Sequence, residues 1–465
     1  FSNVPVGLQT IAISYIGYKE NAVANIVVDA GKEVVLTIPL EENSKTETAV
    51  VVNGNSKKNR PLNDMSAVSA RAFTVEETQK YAAAINDPLR MATNFAGVAS
   101  ADDGNNNIVI RGNAPGGLLW RMEGVDIPNP NHFGGAGGSG GGISILSAQL
   151  LSNSDFITGA FASEYGNALS GVFDLKLRKG NNEHREYTLQ AGLLGLNAAA
   201  EGPLSASHKG SYLINYRYST LSLLNKLGVL SDGGVTNFQD LSYNISLPTK
   251  RFGNFTLFGF GGLSSFDSNP EKDSSKWKND FDRDGGKDIS NTGVSAITHS
   301  ISLGSKTNLK SALAFSYNNI NSNENFLENN YTFSDTYKDN HKTKKLVLST
   351  MLNHKFNAKN TLRTGGIINF INFNYYQKSK ENKNAPLQEV ISTKDKTQTV
   401  QLFAQWQYKP GNKITFNTGF HYLALSYNNT SSIEPRASVR WDVNKKNSLA
   451  FGYGLHSQIQ ALGIY

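Results

Sequence analysis

From Glu186 onward this sequence alternates apolar and polar residues with a period of two, and no other feature constrains its fold as tightly. Tyr187, Leu189, Ala191 and Leu193 alternate with Thr188, Gln190 and Gly192. Tyr212, Ile214, Tyr216 and Tyr218 repeat the pattern, as do Leu241, Tyr243, Ile245 and Leu247. It returns at Val400, Leu402, Ala404, Trp406 and Tyr408, then at Ala437, Val439 and Trp441, and ends on Leu449, Phe451, Tyr453 and Leu455. Side chains of a strand point alternately to its two faces, so each segment is a strand with one apolar and one polar side. A soluble sandwich alternates in the same way. It has no need, however, for apolar faces that finish so regularly in Tyr or Trp. Aromatic residues at the ends of an apolar face belong at a membrane–water boundary, with the apolar side in lipid and the polar side in a lumen.

The connections between these segments point the same way. Short polar turns at 250–254, 305–308, 357–360, 409–413 and 444–447 alternate with long stretches at 221–236, 267–290, 321–342 and 378–397. Short turns at one end and long loops at the other are the asymmetry of a transmembrane barrel. The spacing predicts about thirteen strands, with residues 186–195 and 196–203 as a tight pair. An open set would leave bare edges in lipid, so the barrel is expected to continue past Tyr465.

Composition removes several alternatives. No apolar run approaches the roughly 18–20 residues of a membrane-spanning helix. The absence of cysteine excludes disulfides, thiol catalysis and Cys-ligated zinc. The net charge of +7 comes from lysines scattered through turns and loops, with no compact basic helix, so nucleic acid is not expected as a partner.

The first part of the chain differs. It begins at Phe1 with no signal peptide. Strand patterns occupy 8–15, 22–28 and 33–40, too few for an independent core, so earlier strands are expected. A polar linker follows, 41–64, with an apolar island at Ala49, Val50, Val51 and Val52. Two readings of that island are open: a strand offered to another protein's sheet edge, or an extension of the preceding strands. Residues 65–180 are mixed. Thr74 and Glu77 form a capping-box pattern before a helix at 75–81, and Asp87 with Pro88 opens a second short helix. Strands are expected at 107–111, 118–122, 150–156 and 172–177, with a glycine-rich excursion at 134–142.

Three motifs in this mixed segment carry a resemblance. Asn107-Ile-Val-Ile-Arg-Gly112, Met122-Glu-Gly-Val-Asp126 and Tyr165-Gly-Asn-Ala-Leu-Ser-Gly171 resemble the plug signature of TonB-dependent outer-membrane receptors. Ser14-Tyr-Ile-Gly-Tyr18 is similar to the end of the carboxypeptidase-regulatory-like domain carried by Bacteroidetes members, and Thr48-Ala-Val-Val-Val-Asn53 stands where those proteins carry a TonB box. The resemblance implies a mainly β fold: a partial transmembrane antiparallel barrel, 22-stranded when whole, with an α+β plug in its lumen. It divides the chain into a small N-terminal β-sandwich (1–42), TonB box and linker (43–64), plug (65–180) and barrel (181–465). It further implies energy-coupled import across the outer membrane. TonB and its inner-membrane energising complex would pull on Thr48, Ala49, Val50, Val51 and Val52, with short turns periplasmic and long loops outside. Members that pair with a surface lipoprotein lid usually carry a more regular Val-Val-Asp-Gly-type strand. Here the strand reads Trp120-Arg-Met-Glu-Gly124, which favours a stand-alone receptor. Two rivals remain: a receptor-fold subunit built into a larger envelope assembly, and a surface adhesin or phage receptor.

Chemical motifs are few, and none suggests an enzyme. Gly137-Gly-Ser-Gly-Gly141 matches a nucleophile elbow in letters only, because it lies in a glycine run with no helix following it at once. A flexible loop near the plug apex is the better reading. Just before it, Asn131, His132 and Phe133 are candidates for cargo contact, against an ordinary turn. No cofactor is required. Calcium is the one ion the sequence suggests, because Asp280, Asp282 and Asp284 followed by Gly285 match the start of a calcium loop, with Asp288 at the ninth position. Asn291 stands where a bidentate Glu is expected at the twelfth.

Overall fold

A computed structural model describes all residues except 2, 16–17, 19–20, 29–33, 35–37, 39, 41–60, 74–86, 103–104, 193–194, 206–207, 228–233, 383–384 and 445–446. The first two strand patterns form a hairpin, β1 (Gly7–Ile13) with β2 (Asn21–Val28). Most of the third, the whole Val50–Val52 island and the helix expected at 75–81 fall outside the described residues.

The mixed segment builds a five-stranded sheet in the order β3 (Ala70–Phe73), β10 (Ser154–Ile157), β11 (Gly171–Leu175), β6 (Leu118–Met122), β7 (Val125–Asp126). The β11–β6 pair is parallel. Its core stacks Trp120 on Phe173 at 4.4 Å, with Phe156 on the other side of Phe173, also at 4.4 Å. Three small pieces complete the plug. β4 (Val98–Asp102) pairs with β5 (Asn105–Ile110) and β8 (Asn131–His132) with β9 (Ile143–Ser144), and a one-turn helix spans Pro88–Met91. That helix starts with the proline directly after Asp87, where the missing N–H of proline costs nothing.

Thirteen antiparallel strands follow, each paired with its neighbour in sequence. They are β12 (Glu186–Gly192), β13 (Gly195–Ser205), β14 (His208–Ser219), β15 (Gly234–Pro248), β16 (Asn254–Ser268) and β17 (Asp284–Ser302). Next come β18 (Thr307–Leu327), β19 (Phe333–Asn357), β20 (Asn360–Ser379) and β21 (Gln388–Tyr408). β22 (Ile414–Leu425), β23 (Thr430–Asp442) and β24 (Ser448–Gly454) complete the sheet. The sheet wraps the plug. Its outer face exposes Leu313, Phe315, Leu346, Leu348, Leu402, Trp406, Phe420 and Trp441, while the alternate residues Ala314, Val347, Gln401, Phe403 and Gln405 are buried against the plug. Both tryptophans thus stand on the lipid side, and Trp406 lies near the short-turn end, stacked on Phe356 at 5.1 Å.

One expectation needs correction. Two of the stretches read as long loops, 321–342 and 378–397, are mostly strand, and the end of a third, 267–290, is strand as well. β17 begins at Asp284, β18 runs to Leu327, β19 starts at Phe333, and β20 and β21 leave only residues 380–387 between them. These ladders continue past the apolar zone with mostly polar side chains, although a few apolar ones, among them Phe326, Phe373 and Tyr375, stay buried. Loss of alternation marks where lipid ends, not where backbone pairing ends.

Candidate functional site

The plug meets the barrel wall through buried charge, and that interface is the candidate site. Glu164 and Tyr165 lie on the loop between β10 and β11, 5% and 0% exposed. Arg363 of β20 reaches in from the wall to pair with the Glu164 carboxylate. Arg121 of β6 lies behind it, with Nη1 donating to the Glu164 carbonyl at 2.7 Å and lying 4.0 Å from its carboxylate. The Tyr165 hydroxyl donates to Asp174 at 2.7 Å, and Lys176 holds the other Asp174 oxygen at 2.8 Å. Burial alone would raise the Glu164 pKa, but Arg363 and Arg121 outweigh it and hold the carboxyl below its ordinary value. Burial, with Asp174 and Glu164 beside it, pushes the Tyr165 phenol well up, so it stays a neutral donor.

Further contacts spread around the wall. Lys310 of β18 pairs with Glu123 at 2.8 Å, and Ser349 of β19 donates to the Gly124 carbonyl. Gln405 of β21 accepts from the Ser163 amide at 2.6 Å. Arg436 of β23 donates to the carbonyls of Ala162 and Tyr165 at 2.7 and 2.6 Å. At Gly166 the plug backbone lies so close to the wall that a Cβ would fall 1.9 Å from His421 Nε2.

The point where the linker enters the plug belongs to the same network. Asp155 of β10, 2% exposed, accepts the amides of Leu62 and Asn63, each at 2.7 Å. The Asn63 side-chain amide donates to Glu164 and to Tyr165 Oη, and its oxygen accepts from Arg363 at 2.7 Å. Gln407 and Gln405 hold the carbonyls of Asp64 and Met65. Residues 62–65 are therefore tied to plug and wall at once.

Burial pushes the Asp155 carboxyl up to about 6, against the two amides that favour its charged form. The folded value lies above the unfolded one, so the fold gains stability as pH falls through about 6 and Asp155 takes a proton. The same proton removes the charge that strengthens the two N–H bonds. Corrected for intrinsic rate, the Leu62 and Asn63 amides are expected to exchange with solvent faster at pH 5 than at pH 7.5. In Asp155→Asn they should exchange fast at both. Amide exchange read by mass spectrometry checks this, and protection independent of pH in the native chain would refute it.

The structure places the cargo candidates in a second contact. Asn131 and His132 are buried, 1% and 0% exposed, and only Phe133 is half-buried. Asn131 bonds to Asn129 and Asn106, and His132 Nε2 lies 3.0 Å from Asp240 of β15, which Arg217 of β14 also holds. Burial lowers the His132 pKa despite Asp240. The glycine loop is only partly free. Residues 135–138 are exposed, but a Cβ on Gly140 would meet Asn107 at 2.2 Å and one on Gly141 the His132 carbonyl at 2.3 Å. Close approach of backbones, not flexibility alone, requires glycine there.

The calcium spacing is used differently. Asp280–Arg283 is a 3₁₀ turn in which the Asp282 carboxylate caps the amides of Lys278 and Asn279. Asp284 opens β17, and Asp288 accepts from Ser322 across the ladder. Asp280, Asp282, Asp284 and Asp288 are not gathered, and no cluster of three or more His, Asp or Glu suited to a metal ion occurs among the described residues. A strand cannot turn its carboxylates to one centre as a calcium loop does. The partners of Glu164 were not legible in sequence: Arg363 lies 199 residues away.

Residues 227–457 match the family described as TonB dependent receptor-like, beta-barrel. No curated protein matches the chain. Among solved structures, the ferric enterobactin receptor PfeA from Pseudomonas aeruginosa is similar, with a TM-score of 0.58 at 14% identity over 85% of this chain and 63% of that one. The outer membrane transporter YddB from Escherichia coli gives 0.57 at 12%, over 85% and 62%. The pyoverdine outer membrane receptor FpvA from Pseudomonas aeruginosa gives 0.58 at 12%, over 82% and 61%. The chain thus spans less than two thirds of the length of these structures. Its fold, a plug enclosed by antiparallel barrel strands, is that of the TonB-dependent outer-membrane receptors, and its residues 227–457 match their β-barrel family.

Proposed function

We propose that this chain carries the plug and part of the barrel of a receptor that imports a ligand across the outer membrane, energised by TonB. In this reading TonB pairs with Thr48–Val52 as an added strand, whose main-chain bonds carry load well in shear. The linker delivers the pull to Leu62, the short turns face the periplasm, and the long strand extensions stand outside. Cargo meets the plug apex at the exposed residues 135–138 and at Phe133, while Asn131 braces that loop within the plug and His132 holds it to Asp240 of the wall. The supporting observation is the anchoring of residues 62–65 to plug and wall together. A tether ending anywhere else would move one without loosening the other.

Val51→Pro tests it. Proline removes a donor and bars ladder pairing. Binding of the purified periplasmic domain of TonB to the variant is expected to weaken by roughly tenfold or more, equivalent to losing one or two main-chain hydrogen bonds. Membrane insertion should be unchanged. Unaltered TonB affinity would defeat the assignment of residues 48–52.

A further inference from the structure

We infer that the short-turn mouth of the barrel binds the carboxylate-bearing peptide stems of the cell-wall glycan through Lys209, Lys250, Arg251, Lys306, Lys359 and Lys413. The inference rests on the reading above that this end faces the periplasm. All six side chains are exposed. Among the described residues none of them has an ion-pair partner, and Lys306 donates only to the Phe356 carbonyl, at 3.4 Å. The rim is of one sign. Residues 202–209, 249–253, 303–306, 355–359 and 409–413 contain no Asp or Glu, whereas the long-strand end sets Asp273, Asp284, Asp288, Glu324 and Glu328 among its lysines. Asp64, where the linker enters the plug, is held by Arg363 at 3.4 Å. Like charges with nothing of opposite sign beside them attract a polyanion.

The side on which the cations stand decides which polyanion they fit. Lys209 lies in the plug-facing row of β14 with the buried Ser211 and Leu213. Lys306, Lys359 and Lys413 stand one position before β18, β20 and β22. Each continues the plug-facing row of its strand: Lys306 through Asn308 to Lys310, Lys359 through Thr361 to Arg363, and Lys413 through Thr415 to the buried Asn417. The opposite rows carry Leu303, Phe356 and Phe416, exposed toward lipid. Lipid thus meets the apolar side of this rim, and the cations border the pore. Neighbouring turns are two strands apart, about 10 Å, so the arc from Lys209 to Lys413 runs about 40 Å. Between mouth and plug these three rows hold only Asn308, Thr361 and Thr415, so they lack the aromatic or aliphatic centre of a protein docking site. Single charges strung along such an arc suit an extended polymer that carries carboxylates at every repeat, and in the periplasm the cell-wall glycan with its peptide stems is that polymer.

The test uses the purified full chain in dodecyl maltoside micelles, with protein-free peptidoglycan sacculi as probe and co-sedimentation as readout. The native chain is expected to bind the sacculi, and a variant with Gln at all six positions to bind roughly tenfold or more weakly. Added salt should weaken native binding. A control with Gln at Lys272, Lys276, Lys278, Lys338, Lys342 and Lys344 loses the same charge from the long-strand end and should bind as the native chain does. Sacculi whose carboxylates have been converted to amides should be bound weakly by all three proteins. Equal affinity in the native chain and the mouth variant would overturn the site, and an equal loss in the control would reduce it to net charge. Undiminished binding to amidated sacculi would overturn the carboxylate as the group recognised, and displacement of sacculi by phosphatidylglycerol vesicles would overturn the cell wall as the partner. Neither TonB nor cargo enters the assay, so failure of the transport reading and failure of this one are separately visible.

Discussion

Glu164→Ala is expected to destabilise the plug by about 3–5 kcal/mol, the usual cost of removing one partner from a buried ion pair. Two guanidinium groups depend on this carboxylate: Arg363 from the wall and Arg121 from the plug. Both are largely withdrawn from water, at 12% and 3% side-chain exposure, so neither can recover its hydration once the carboxylate is gone. The Asn63 side chain loses a partner at the same stroke. The barrel strands keep their own ladders, so the defect should appear in the plug alone. The reading is hydrogen exchange across residues 62–177, which should lose protection while β14–β21 keep theirs. The native pair has its own pH signature. Its folded carboxyl value is depressed, so its stabilisation is complete above the ordinary Glu value of 4.5 and is lost as pH falls through the lower folded one. Glu164→Gln should lose that dependence and retain the shape. Equal protection in Glu164→Ala and the native chain would contradict the assigned role.

The second large effect concerns a residue with no side chain. Gly166→Ala would set a methyl group 1.9 Å from His421 Nε2, 2.2 Å from Cε1 and 2.7 Å from Gln401 Oε1. The imidazole has little freedom to yield, because its Nδ1 is bonded to the Ser163 carbonyl at 2.8 Å. Relief requires the 163–168 loop to lift, which strains Gln405–Ser163 and both Arg436 carbonyl bonds. Overpacking of this kind typically costs about 1–3 kcal/mol, and the hydrogen bonds lost with it bring the total to the upper end or beyond. Adding His421→Ala to Gly166→Ala opens the space and should restore part of the loss. The check is a double-mutant cycle on plug unfolding. A cycle with no coupling between positions 166 and 421 would show that the methyl is accommodated elsewhere.

The two halves of this molecule were unequally legible in its sequence. Alternation places Trp406 and Trp441 on lipid and Gln405 on the plug, because lipid on one side and a packed lumen on the other demand opposite chemistry at every second residue. It also places the 186–195 and 196–203 segments as a close pair. It failed at the outer ends of β17–β21, where most positions on both faces are polar and too little contrast survives to mark a strand. The interface failed differently. Nothing near Glu164 announces Arg363, and nothing near His132 announces Asp240, 108 residues on, because pairing across a curved wall depends on which strand curls around to face which loop. Gly166 lay in a motif read by resemblance, but its physical reason, a histidine pressed against its α-carbon, is visible only when the wall is in place.

The anchoring of residues 62–65 has a consequence for rates. Plug and wall share many bonds around the circumference, and heating must break most of them together before the plug comes free. A tug arriving at Leu62 meets them in single file: first the two Asp155 amide bonds, then the Asn63 cluster, then the glutamine-held carbonyls of Asp64 and Met65. Bonds loaded one after another yield at the strength of the strongest step, not at their sum. The assembly can therefore be firm against thermal escape in every direction and still give way readily along one.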